Sequence, residues 1–322
     1  MSAVAGADVL LDQPRDVAAP FGSALRRAGQ EREDLVVLSA DLSRYTDVID
    51  FAQAFPDRFF QIGMAEANMM GIAGGLAKAG YLPVPVTYGV FATRRAYDQV
   101  AMALCTGRSR GVVMAFLPGI TTPFRATHQA IDDLALMRAL PGMTVIDPVD
   151  ATELGQAFAA ALEHDESVYL RGLRGSVPAL LDPDRYRFAV GAVVELRHGG
   201  DVGLIGTGLG TRWALDAAAD LAVRGIEAAV LHVPTLKPCD TDALASWCVQ
   251  RRLVVTIENH TIIGALGSLV SETVSERALG ARVLRLGVPD RWADAGSLEY
   301  VRGRLGLDAN GIGERVRTEL AR

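Results

Sequence analysis

Short apolar runs alternate with alanine-rich segments along almost the whole chain, and that alternation leaves few folds open. Leu35–Ser39, Leu82–Thr87, Gly111–Phe116, Met143–Ile146 and Ser167–Leu170 read as buried strands. Asp16–Ala28, Glu66–Ala79, Arg94–Cys105, Ala130–Leu140 and Ala151–Glu163 read as the helices between them. Repetition of this kind lays consecutive strands parallel and covers both sheet faces with helices. The pattern pauses at Val177–Ala189, which is proline-bearing, charged and aperiodic and reads as a linker. It resumes with strands Val202–Gly206, Ala228–His232, Leu253–Ile257 and Arg282–Leu286. Helices Gly210–Arg224, Thr241–Arg251 and Gly264–Leu279 separate them, and two helical segments close the chain. The 322 residues leave room for two domains. The expected fold class is α/β, as two doubly wound domains with mostly parallel sheets, over residues 10–180 and 190–322.

Within the first series, Gln61–Ala77 is the stretch that bears most on chemistry. It sets one carboxylate, Glu66, at the mouth of an otherwise uncharged, glycine-laced helix. Such a helix is normally buried over most of its surface. A carboxylate beside that interior needs a compensating partner. Acids so placed are often functional, though a capping role at a helix N-terminus gives the same pattern.

Composition removes several classes of function. The formal net charge is −6 and there is no basic block, so nucleic-acid and anionic-membrane binding are not suggested. Cys105, Cys239 and Cys248 are scattered, form no metal spacing and point to a reducing, cytoplasmic setting. Met1–Leu11 has no basic flank and no long apolar run, so it does not read as a signal peptide. The longest uncharged stretch, Ala79–Thr93, is short for a membrane span and is broken by Pro83 and Pro85. Gly206-Thr-Gly208-Leu-Gly210 lacks the last glycine of a dinucleotide fingerprint, because position 213 is Trp213; it reads as a tight strand-to-helix turn.

Taken in order, the motifs resemble a known family. Ile62-Gly-Met-Ala-Glu66-Ala-Asn68 with the glycine-rich helix behind it, Arg94-Arg95-Ala96-Tyr97-Asp98-Gln99, and Thr127-His128-Gln129-Ala-Ile-Asp-Asp-Leu134 are similar to the pyrimidine-binding domain of transketolase. Pro234-Thr-Leu-Lys237-Pro238, Glu258-Asn259-His260 and Gly287-Val-Pro-Asp290 are similar to that family's carboxy-terminal domain. The likeness runs from about Arg15 to the end. The Gly-Asp-Gly signature of the family's diphosphate-binding domain does not occur. The chain thus resembles the C-terminal subunit of a split transketolase, a soluble enzyme subunit acting on small molecules. Its site would be completed by an N-terminal diphosphate-binding subunit in a heterotetramer of two plus two chains.

The resemblance implies thiamine diphosphate as cofactor, with Mg2+ or Ca2+ held mainly by the partner and no metal ligand from this chain. It assigns Glu66 to the pyrimidine ring and Phe91 to stacking on that ring, with Tyr88 as a second candidate for the stacking position. His128 would face substrate. Arg171 would hold a substrate phosphate, with Arg174 as the alternative register, and Arg15 would be a second such arginine; the planar guanidinium fork suits phosphate. Asp41 falls on the site rim with no assigned role, and Glu258–His260 is expected to serve structure or a subunit interface.

The departures concern substrate. Phe124 stands where sugar-phosphate-using members carry an Asp for a substrate hydroxyl, and Phe116 where some carry a phosphate-contacting His. Replacing hydrogen-bonding groups by apolar ones removes polar recognition of a sugar. The expected reaction is transfer of a two-carbon ketol unit from a ketose-type donor to an aldehyde-type acceptor, on an atypical substrate. Two other readings remain: the beta chain of a 2-oxo-acid dehydrogenase first component, whose motifs around the histidine differ, and a non-catalytic assembly subunit, against which the retained Glu66, Phe91 and His128 argue.

Overall fold

A computed structural model describes residues 4–5, 7–107 and 109–322 of the protein. Met1–Ala3 and Gly6, part of the N-terminal stretch read above, lie outside the described residues. A seven-stranded sheet organises the first half. Edge to edge its strands are Thr235–Lys237, Met143–Ile146, Ser167–Gly172, Val112–Phe116, Leu82–Tyr88, Leu35–Ser39 and Phe59–Gln61. All neighbours are parallel except the first pair, which is antiparallel. Every residue of Leu35–Ser39, Leu82–Tyr88 and Val112–Phe116 is buried. Continuous apolar runs, rather than alternation, are what a sheet covered on both faces requires.

A six-stranded sheet organises the second half, in the order Val4–Ala5, Val194–Arg197, Ala228–His232, Val202–Gly206, Leu253–Thr261 and Arg282–Val288. Two short strands cross over. Thr235–Lys237 leaves the second half to edge the first sheet, and Val4–Ala5 leaves the N-terminus to edge the second. The apolar core is shared in the same way. Met69, Met70, Ala73, Leu134 and Met137 pack in one cluster with Leu231, Trp247, Val254 and Leu266. The opposite face of the first sheet is filled by Phe21, Leu25, Phe51, Val84 and Phe158. The architecture is α/β, as the alternating pattern implies.

The structure departs from the sequence reading in a few places. The first helix is Pro20–Glu31, because Asp16–Ala18 belong to a strand, Leu10–Ala18. That strand pairs antiparallel with Ser176–Leu181, so the start of the expected linker, through Leu181, is a ladder. Pro178 sits there opposite Asp16, and a two-stranded ribbon tolerates proline at its edge. The expected helix Arg94–Cys105 is broken into Gly89–Arg94, Tyr97–Gln99 and a π-helix over Val100–Cys105. The break leaves Arg95 just past the C-terminal end of Gly89–Arg94 rather than in the first turn of a helix. Phe116 lies wholly inside the core with its ring edge-on to Phe21 at 5.5 Å, so it cannot meet a substrate.

Candidate active site

The carboxyl ends of the parallel strands lie level. Tyr88 pairs with Phe116, and Phe116 with Gly172. Ligands of open α/β sheets bind at this edge, and the candidate side chains converge on it.

Glu66 is the first residue of the helix Glu66–Lys78 and is only 3% exposed. The hydrogen bond its carboxylate accepts comes from Arg95 Nη1 at 3.1 Å, not from a backbone N–H of its own helix. Arg95, 51% exposed on its side chain, also lays its guanidinium over the Phe91 ring, 3.9 Å from the ring centre. Carboxylate and ring are thus bridged by one planar cation. The helix N-terminus adds favourable field at Glu66.

Rings gather around His128. Phe124 lies 5.0 Å away, Phe91 5.4 Å and Tyr88 6.2 Å, centre to centre. Burial, and then the positive charge of Arg95, hold the His128 imidazole below its ordinary range, so the ring is neutral near pH 7. Its Nδ1 is 2.9 Å from the Thr127 hydroxyl. The loop that carries it is pinned by Arg94, whose guanidinium grips the Asp132 carboxylate at 2.8–3.1 Å and donates to the carbonyls of Ala126 and Gln129. Phe124 is 59% exposed at the open side of this cluster.

The structure therefore brings together Glu66, Tyr88, Phe91, Phe124 and His128. It places Arg171 elsewhere. Arg171 is 1% exposed and makes a two-armed ion pair with Asp133. Its other donations go to Asp147 at 3.3 Å and to the carbonyls of Asn259 and Ala130. With its donors engaged and only 1% of its surface exposed, it cannot hold a substrate phosphate. The arginine at the rim is Arg174, exposed in the turn after Ser167–Gly172, with its guanidinium 5.8 Å from the Tyr45 ring. Its charge also reaches the Tyr88 hydroxyl, which burial pushes up and Arg174 partly pulls back. Arg15 is exposed on the ribbon opposite Ala179, three pairs from the Ala18–Ser176 end beside the Arg174 turn.

The rim loop 41–48 is fastened toward both of its ends. The Asp41 N–H donates to Gln61 Oε1 at 2.7 Å, and Asp47 accepts from the Gly175 N–H at 3.0 Å. Asp41 has φ 60°, a left-handed conformation that Asp tolerates better than most residues. Sequence reasoning did not single out Arg95, Tyr45 or Asp47. Arg95 was visible only as half of an Arg-Arg pair, and nothing in the pair tells which arginine is pinned and which faces the site. Among the described residues no group of three or more His, Cys, Asp or Glu side chains could hold a metal ion.

The second half contributes struts. Glu258 accepts from the backbone N–H groups of Leu266 and Gly267, both at 2.9 Å, and so caps the helix Leu266–Glu276. Asn259 receives the Ile120 N–H and donates to the Pro118 carbonyl, bracing the start of the loop that leads to His128. His260 is buried beside Asp133, and burial pushes its imidazole down to about 4. Gly206 and Gly210 form the tight turn: a side chain at Gly210 would meet the Ile257 carbonyl at 2.1 Å.

Comparison with known proteins bears on the fold and the family. The family described as the transketolase pyrimidine binding domain matches residues 13–179, and the transketolase C-terminal domain matches residues 191–312. A transketolase family protein of Sinorhizobium fredii is 43% identical over 319 residues, covering 98% of this chain and 91% of that protein. A 6-deoxy-6-sulfo-D-fructose transketolase subunit of Clostridium sp. is 39% identical over 285 residues, 88% of each chain. A split-gene transketolase, solved as an inactive beta4 tetramer, superimposes with a TM-score of 0.84 at 39% identity, covering 94% of this chain and 97% of that one.

Proposed function

The chain belongs to the transketolase family, and we propose that it supplies the pyrimidine half of a thiamine diphosphate site that a separate diphosphate-binding chain completes. The reaction in this reading is transfer of a two-carbon ketol unit from a ketose-type donor to an aldehyde-type acceptor. The observation that carries it is Glu66: a buried carboxylate, tied neither to its own helix nor to a buried cation, and linked to the face of Phe91 through the half-exposed Arg95 guanidinium. A flat, nitrogen-bearing heterocycle fits that slot, because a flat, nitrogen-bearing guanidinium already meets both walls of it. When bound, the cofactor supplies the nucleophilic carbon and the electron sink of the chemistry.

The residues of this chain have separable tasks. Glu66 holds a ring nitrogen and the proton between them, in a setting whose low polarity strengthens the hydrogen bond. Phe91 stacks on the ring, and Tyr88 backs Phe91 at 5.8 Å. Neutral His128 accepts or passes a substrate hydroxyl proton. Arg174 at the rim takes the anionic end of the substrate in place of Arg171, with Arg15 on the neighbouring ribbon as the outer candidate. Mg2+ or Ca2+ and the diphosphate fall to the partner, in a cytoplasmic heterotetramer of two plus two chains. No helix among the described residues is long and apolar enough to cross a membrane.

Phe124 points to an atypical substrate. Its exposed ring beside His128 offers no hydrogen bond to a sugar hydroxyl. The relative named for a sulfo-sugar fits a site in which one arginine binds a terminal anion, phosphate or sulfonate, while apolar contact replaces a polar one. The test is ketol transfer by this chain co-purified with its partner, using hydroxypyruvate and a set of aldehydes. The complex turns over, this chain alone does not, and xylulose 5-phosphate with ribose 5-phosphate is a poor pair. Turnover of pyruvate with a lipoyl acceptor instead would move the chain to 2-oxo-acid dehydrogenase chemistry. Activity unaffected by Glu66→Ala would make it an assembly subunit.

A further inference from the structure

Arg95 occupies the place the proposed cofactor ring needs. Its guanidinium touches the Glu66 carboxylate and the Phe91 face at once, 3.1 Å from one and 3.9 Å from the centre of the other. A ring that reaches both groups on that side fills the same layer. We propose that Arg95 is a displaceable stand-in for the pyrimidine ring: it keeps Glu66 paired and Phe91 covered in the unassembled chain, and leaves when the ring enters. This rests on the reading of the site given above.

Three observations set Arg95 apart from a structural arginine. Its hold on Glu66 is a single hydrogen bond, although a guanidinium can make two parallel ones to a carboxylate. Half of its side chain faces solvent, so it has room to swing out. Its neighbour Arg94 shows the contrast, being locked to Asp132, Ala126 and Gln129 and stacked on Trp292. The interruption of the helix after Arg94 separates the two side chains. The arrangement has a use. A buried carboxylate left without a partner is unfavourable, and Arg95 supplies one until the ring takes over its hydrogen bond. Ring binding is then an exchange of partners at Glu66, and removing Arg95 removes the competitor.

The test is calorimetric titration of the complex of this chain and its partner with thiamine diphosphate and Mg2+. Arg95→Met binds more tightly than wild type, by about three- to thirty-fold, the sum of one half-exposed ion pair and one exposed cation–π contact released. Arg95→Lys, which keeps the charge and loses the planar stack, falls between and serves should Arg95→Met fail to assemble. In a Glu66→Gln background the gain from Arg95→Met shrinks, because the ion pair is already gone. Unchanged or weaker binding by Arg95→Met or Arg95→Lys, with a wild-type complex that binds, overturns the stand-in role alone. A wild-type complex that binds no thiamine diphosphate overturns the reading of the site and this inference together.

Discussion

Two arginine–carboxylate pairs stand near the strand ends, and they differ in almost every physical respect. Arg171 and Asp133 are sealed in the interior, with Tyr169 donating to the same carboxylate at 2.6 Å and Asp147 and Asn259 completing the arginine's partners. Arg95 and Glu66 meet through one bond, with the acid buried and the arginine half in water. The first pair is saturated and joins the two halves of the chain, since Asn259 comes from the second sheet. The second pair is under-coordinated and opens on a cluster of rings. A saturated buried network specifies structure, whereas a buried acid with a loose partner is available to a ligand. Burial of a charged residue therefore did not mark the site; the single, half-exposed partner of the buried acid did.

The comparison breaks most visibly at Arg171. Arg171→Met leaves Asp133 and Asp147 buried with no cation, and the chain is expected to lose about 3–5 kcal/mol of stability. Chemical denaturation should show that loss. Arg95→Met, which removes one half-exposed ion pair and one exposed cation–π contact, is expected to shift the same curve by no more than about 2 kcal/mol. Equal losses would erase the distinction between the two pairs. Phe124→Asp acts on the open side. It restores a hydrogen-bonding group beside His128, and kcat/KM for a polyhydroxylated aldehyde should rise about ten- to a hundred-fold over that for an apolar one. No change in that ratio would take Phe124 out of substrate recognition. The smallest effect concerns His128, whose folded pKa lies below the unfolded value, so the neutral ring persists at pH 7 and protonates only on further acidification. Titration of its ring carbon signals by NMR should give a midpoint below the ordinary 6.5 in the chain alone. Arg95→Met should move that midpoint upward, because the Arg95 charge contributes to the lowering. A midpoint unmoved by the substitution would separate Arg95 from the histidine cluster.

Much of the fold was readable because strands buried on both faces write themselves as unbroken apolar runs. Leu35–Ser39 and Met143–Ile146 match residue for residue. The elements that escaped are those whose stability is not local. The ribbon of Leu10–Ala18 and Ser176–Leu181 joins segments far apart in sequence and carries Pro14 and Pro178, so neither strand looks like one by itself. Phe59–Gln61 and Thr235–Lys237 are too short to show a period. The same logic holds at the site. Glu66 stood out as a single charge on an apolar helix, and His128 and Phe91 through motifs. Arg171 lies close to Arg174 along the chain, and sequence cannot say which of two nearby arginines points inward. That is decided by Asp133 and Asp147, which reach the same spot from other elements.

The central claim is that Glu66 serves the cofactor ring rather than the fold. The direct measurement is ketol-transfer kcat of the Glu66→Gln chain assembled with its partner, alongside its thermal melting. The substituted amide keeps the shape but lacks the acid, so kcat should fall about a hundred-fold or more, while melting and assembly stay close to wild type. Wild-type turnover by that complex, or a melting temperature that collapses with the substitution, would contradict the assignment and return Glu66 to the fold.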